Sequence, residues 1–514
     1  MDKLNLFTIV LVILFFLSTT GHVAQGQPKD HWDSLVTLPS GNLELRALAY
    51  YKDLTGEDRV FAVYRVSSET DSFYIESFYW DSGKAYLADD TYETGYIRYT
   101  GSGIPTSATC NGTYLYVATD RGYIFKIPAK TYGISEERIE VYQITLPSEV
   151  YLNITRIKYN PDYGFIVSGF DGEGYAYSII FNRFSSTGSP VYYALQFKWT
   201  TDALIGLDAG VLYNPDDETS YLYSLIGSKL GALHLDVFDI KAENYVTTYR
   251  FTKEEWATKY IPGLAINESN HLVVAVMPFK NTAGGIYTRV FALRAADTPL
   301  YYREYGYDSG DLLIGVNIVP AYNGKIYITG SFMKGTGSYD LFMMELDGRD
   351  LAPLKALVYY GYYNDIEVRA SQSVITDYIF LGATTDSFSD AEGSTSVLAL
   401  LASPAQNGGE LYKWVTVPSF SAPSDGLNVD SLGTPVVSSP TYETTTEITH
   451  AGVSDRVSAG IIDVIAATGD NTPNSYLGDD VTDPVPVPEP VLAVAGVLTG
   501  ILVVLVSRSR ALRA

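Results

Sequence analysis

The chain has 514 residues, 46% of them apolar and 18% charged, and 59 acidic side chains against 35 basic ones give a net charge of −24. That excess repels phosphate backbones, which excludes nucleic-acid binding as a function class, since such binding rests on Lys and Arg neutralising phosphates. One cysteine, Cys110, excludes an intramolecular disulfide, and a chain of this length buries enough core without one.

The N-terminus carries Lys3, an apolar run from Leu6 to Leu17, then small and polar residues to Gly26. The run is too short to cross about 30 Å of hydrocarbon as a helix, but it suits the apolar region of a secretory signal. Ala24-Gln25-Gly26 supplies small residues for a cut after Gly26, so residues 1–26 are predicted to be a signal peptide. The rest of the chain is then exported.

The body, residues 27–467, repeats at about 53 residues. Turn residues recur, each just ahead of an alternating apolar stretch: Asn111-Gly112 before Tyr114–Val117, Asn160-Pro161-Asp162 before Gly164–Val167, Asn214-Pro215-Asp216 before Tyr221–Ser224. The series continues with Asn267–Asn270 before His271–Val274, Asn323-Gly324 before Lys325–Ile328, and Asp377 before Tyr378–Leu381, and an earlier unit has Asp58 before Val60–Val63. Asn-Gly between alternating apolar runs is a strong hairpin signal. Each unit reads as a small-apolar strand, the Asn turn, a second strand, a Gly/Ser/Asp loop, a third strand and a Tyr-rich fourth. Four antiparallel strands at this period predict an all-β fold, a β-propeller of seven or eight four-stranded blades. Seven units span 43–420. Residues 427–467, completed by the N-terminal segment 31–40, are predicted to supply an eighth; the rival arrangement is seven blades and a Ser/Thr-rich stalk.

Lys325–Ser331, followed by Ser338–Asp347, resembles the "SBBP" propeller repeat of secreted prokaryotic proteins, and Tyr378–Leu401 is a looser match. The resemblance implies a repeat protein of the cell exterior. The 43 tyrosines suit half-buried strand faces, and an exposed subset would stack on sugars.

No HExxH, GxSxG, Walker A or CxxC pattern occurs, and the five histidines lack metal-ligand spacing. His234 and His271 are read as ordinary strand residues, and Cys110 as a buried small residue. No catalytic residue, resident metal or cofactor is assigned. The loop acids Asp171, Glu173, Asp216, Asp217 and Glu218 are read as solvated turn residues, with Ca²⁺ as the cation their hard oxygens would suit. Asn-x-Ser/Thr sequons mark Asn111, Asn153 and Asn267 as candidate glycan acceptors.

Residues 468–484 are rich in Asp, Asn, Gly and Pro and read as a flexible spacer. Then come Val485-Pro486-Val487-Pro488-Glu489-Pro490, an apolar run Val491–Val506, and a tip with Arg508, Arg510 and Arg513. The run spans about 24 Å as a helix at about 1.5 Å per residue, and the arginines would stop transfer on the cytoplasmic side. Val485, Pro486 and Pro490 ahead of such a helix resemble the VPxxxP type of C-terminal sorting signal of archaeal surface proteins, similar in plan to bacterial PEP-CTERM tails. That resemblance implies recognition by an archaeosortase; a plain membrane anchor is the other reading, and both put the body outside the cell. The whole predicts an exported propeller held at the cell surface, a binding or scaffolding module whose partner is an envelope polysaccharide or a surface protein. Two alternatives stay open: a surface polysaccharide-active enzyme (glycosidase or lyase) with its site at the propeller mouth, and a structural S-layer-associated protein.

Overall fold

A computed structural model describes residues within 32–460; residues 1–31, 405–446 and 461–514, and several connecting loops, lie outside the described residues. The described residues belong to one compact unit, Asp30–Asn471. A second unit, made of the two ends, is outside them, as are the predicted signal peptide, spacer, sorting motif and anchor helix. Among the described residues no helix is long and apolar enough to cross a membrane.

The period-2 runs form 31 strands among the described residues, and these build seven antiparallel sheets. In chain order the innermost strands of blades 1 to 7 are Leu43–Lys52, Pro105–Cys110, Asn153–Asn160, Leu204–Asn214, Gly263–Asn267, Leu312–Pro320 and Glu367–Ser373. Each touches the next, and the last touches the first, so the inner strands close a ring around a central channel. Within a blade the strands follow in order outward, as in blade 6, where Lys325–Met333, Tyr339–Asp347 and Pro353–Tyr359 succeed the inner strand.

The repeated turn works as the sequence predicts. Asn111 Oδ1 accepts from the amides of Thr113 (3.1 Å) and Tyr114 (2.9 Å), and Asn160 Oδ1 from those of Asp162 (2.8 Å) and Tyr163 (3.2 Å). An Asn side chain bonding the backbone two residues on closes the turn without help from the sheet. A left-handed residue stands at the entry to the second strand in four consecutive blades: Gly164 (φ 82°), the strand's first residue, and Glu218 (54°), His271 (50°) and Gly324 (77°), each just before it. His271 is therefore a turn residue, which corrects its reading as a strand residue. His234 does lie in a strand and is fully buried.

Blade 7 is completed by Trp32–Val36, which pairs antiparallel with Val397–Pro404. The N-terminal segment therefore closes the seventh blade and not an eighth, a correction to the split eighth blade. Two strands from the segment expected to build it also go elsewhere: Glu447–Ala451 adds to the outer edge of blade 2 and Val457–Gly460 to that of blade 1. The physical reason is edge satisfaction. A three-stranded blade leaves a row of unpaired backbone groups, and a strand from the chain's other end pairs them while locking the ring.

The core lies between blades. One cluster joins Phe61, Val63 and Phe73 of blade 1 to Leu115, Val117 and Phe125 of blade 2, and the same sharing recurs from blade to blade through blades 5 and 6. Burying each aromatic is worth about 2–3 kcal/mol. Tyrosines serve this core: Tyr64, Tyr142, Tyr223, Tyr305 and Tyr327 are among the largest fully buried side chains. Among the described tyrosines, Tyr151 and Tyr213 are the exposed ones, so strand packing accounts for most of those described.

Candidate functional site

Six of the seven inner strands shift register against their neighbour near the start, between Leu45 and Ala47, Pro105 and Ser107, Ile154 and Arg156, Gly206 and Asp208, Gly315 and Asn317, and Glu367 and Ala370. A bulge bends the strand and re-aims the residue that follows it. That slot holds Ala47, Ser107, Arg156, Asp208, Asn317 and Ala370, so blades 3, 4 and 6 bring an arginine, an aspartate and an asparagine to equivalent places on the ring.

Arg156 reaches across the channel: its Nη2 donates to Asn317 Oδ1 at 3.3 Å, from blade 3 to blade 6. Lys158, one turn of the pleat further along, spans to blades 4 and 5. Its ammonium lies 2.6 Å from Asp208 Oδ1 and donates to the carbonyls of Leu264 (2.6 Å) and Ala209 (3.3 Å). Asp208 in turn accepts from the amides of Ala209 and Leu264, both at 2.8 Å. About a third of the Lys158 side chain is exposed, whereas the Asp208 side chain is 3% exposed. Enclosure by the ring lowers the lysine pKa, the Asp208 carboxylate opposes that, and the Arg156 charge adds to the lowering.

This geometry divides the cluster in two. Lys158 and Asp208 satisfy each other and the strand edges around them, so they tie blades 3, 4 and 5 together. Arg156 is left with one neutral acceptor. Its Nε is buried without a hydrogen-bond partner, and so is Nδ2 of Asn317, a residue 6% exposed. The channel therefore holds a cation whose nearby carboxylate is already engaged.

A second polar layer lies between blades 3 and 4. Asp236, 1% exposed, accepts from the Thr248 hydroxyl, which accepts from Tyr245 at 2.5 Å, and the other carboxylate oxygen is buried without a hydrogen-bond partner. Ser224 beside it donates to Ser178 of blade 3 at 2.9 Å. Burial, opposed by the Thr248 bond, pushes the Asp236 carboxyl up to about 7.

The residues marked in the sequence fall elsewhere. Asn111 closes a turn, its Nδ2 donating to the Tyr116 hydroxyl at 3.1 Å, and Asn153 begins the inner strand of blade 3, half-buried. Asn267 is 4% exposed, so its amide does not fit a glycan acceptor in the folded chain, a correction to that sequon. Asp171 is buried, not solvated: it accepts from the amides of Glu173 and Tyr175 (both 2.9 Å) and from the Tyr177 hydroxyl (2.8 Å). Asp217 accepts from the Thr219 amide at 3.0 Å and the Tyr221 hydroxyl at 2.6 Å. Asp171 and Asp217 thus close turns. Burial pushes the Cys110 thiol up to about 12. Val485, Pro486, Pro490, Arg508, Arg510 and Arg513 lie outside the described residues. The channel residues were readable only as charged or amide side chains at equivalent steps of otherwise apolar inner strands.

No protein-family model matches the chain, and no curated protein matches it. Among solved structures it is similar to the Dos1 propeller, at 8% identity over 74% of this chain and 96% of that one, with a TM-score of 0.42. It is also similar to Sqt1 of Saccharomyces cerevisiae (10% identity, 74% and 100% coverage, TM-score 0.39) and BamB of Moraxella catarrhalis (12%, 73% and 97%, 0.34). The propeller fold rests on the chain's own sheet order and ring closure.

Proposed function

We propose that this chain is an exported β-propeller, anchored at the cell surface by its C-terminal helix, that binds and scaffolds components of the cell envelope. The observation that carries the reading is the ring itself: seven blades locked by a terminal strand and by side-chain ties between inner strands, a rigid frame around a polar channel. Such a frame holds loops and channel groups in fixed positions, which lowers the ordering cost of binding. The apolar run that begins at Leu6 and the VPxxxP-type tail support export, surface retention and processing by an archaeosortase. The partner on this reading is an envelope polysaccharide or a surface protein.

The test is retention of the full-length chain, in detergent, on insoluble polysaccharides and on isolated envelopes, with soluble reducing ends assayed in the same tubes. Retention without sugar release is expected. Sugar release would replace this reading with that of a polysaccharide-active enzyme. Absence of retention on every matrix would refute binding and leave a structural role in the surface lattice.

A further inference from the structure

The channel contains an arginine that meets no anion among the described residues. Arg156 has a single hydrogen bond among the described residues, a 3.3 Å contact to the neutral Asn317 Oδ1. The nearest carboxylate in the cluster, Asp208, has both oxygens engaged by Lys158 and by the amides of Ala209 and Leu264. A partly desolvated guanidinium without an anion is costly, and a donor such as Asn317 Nδ2, buried without a bond, adds to that cost. Three other described cations have ionic partners: Lys158 has three acceptors, and Arg46 on the inner strand and Arg65 on the second strand of blade 1 both meet Glu44, at 2.5 Å and 2.9 Å. Among these described cations Arg156 alone lacks a carboxylate, in a protein of net charge −24.

We propose that the channel is a binding site for a carboxylate, taken by Arg156 as a forked pair with the Asn317 amide as second donor. This rests on the binding-module reading and gives it a ligand class. The planar guanidinium presents parallel N–H groups that match a carboxylate, which a lone amide oxygen does not. Arg156 is half-buried and about a third of the Lys158 side chain is exposed, so the cluster is not fully sealed from solvent. The carboxylate is that of a small acid or of the terminal uronic-acid residue of an acidic glycan.

The experiment is calorimetric titration of the full chain in detergent with glucuronate, with glucose as the uncharged analogue, and with a uronate oligosaccharide. Glucuronate is expected to bind and glucose not to. Arg156→Gln should weaken glucuronate about tenfold or more, and Arg156→Lys, which keeps charge but loses the fork, should fall between. Asn317→Asp guards against misfolding as an explanation, because it supplies an internal carboxylate: it should raise the thermal midpoint and abolish glucuronate binding together. Equal binding of glucose, or unchanged glucuronate affinity in Arg156→Gln and Asn317→Asp, would overturn the proposal. An oligosaccharide that binds far more tightly than glucuronate in the wild type, and loses that gain in Asn317→Asp, identifies a glycan end as the source; equal affinities identify a free small acid. Retention of the Asn317→Asp variant on envelopes would leave the binding module standing even where the channel proposal fails.

Discussion

Asp236 gives the chain a measurable pH signature. Burial raises its carboxyl from an ordinary 3.8 to about 7 in the folded chain. Between those values the folded chain holds a proton that the unfolded chain has released, so stability falls as pH rises, by about 1.4 kcal/mol per pH unit. The contribution is fully present below about pH 4 and lost above about pH 7, a total on the order of 4 kcal/mol. Replacing Asp236 with Asn keeps the shape and the Thr248 contact and removes the proton. Urea unfolding of both proteins at pH 5 and pH 8, followed by fluorescence of the buried Trp256, isolates the effect from the many other carboxylates. The variant should gain on the wild type by about 3 kcal/mol between the two pH values. Parallel stabilities at pH 5 and 8 would refute a buried, poorly compensated Asp236.

Four further outcomes follow from particular contacts. Lys158→Met leaves Asp208 buried without its cation and should cost about 3–5 kcal/mol, with much of the loss recovered when Asp208 is also made Asn; a cost below about 1 kcal/mol would deny the tie between blades. Gly206→Ala should destabilise by about 1–3 kcal/mol, because the new Cβ would collide with the Gly169 carbonyl and sit 2.9 Å from that of Tyr177, which thermal unfolding would register. Glu218→Gly should stabilise by about 0.5–1 kcal/mol, since Glu218 holds φ at 54° in a turn slot that glycine fills in blades 3 and 6. Cys110, its thiol pushed up to about 12, should react with an aromatic disulfide at pH 8 far more slowly in the native chain than in urea.

Strand, turn and period were legible from local chemistry. Asn111 and Asn160 close their turns with their own side chains, and the strands after them alternate because successive residues face opposite neighbours, so a short window of sequence contains the cause. The same locality made the tyrosines readable as strand-face residues. Only the folded ring decided the rest. A closing strand at the N-terminus is visible in sequence, but which edge it completes depends on which blade lacks a fourth strand once the ring shuts, and that was the seventh. Arg156 and Asn317 lie 161 residues apart and meet because bulges in two inner strands turn them into one channel, a matter of ladder register that no local pattern encodes. The burial of Asp171, Asp236 and Asn267 was hidden for the same reason: solvent access at a turn or strand depends on what the neighbouring blade covers.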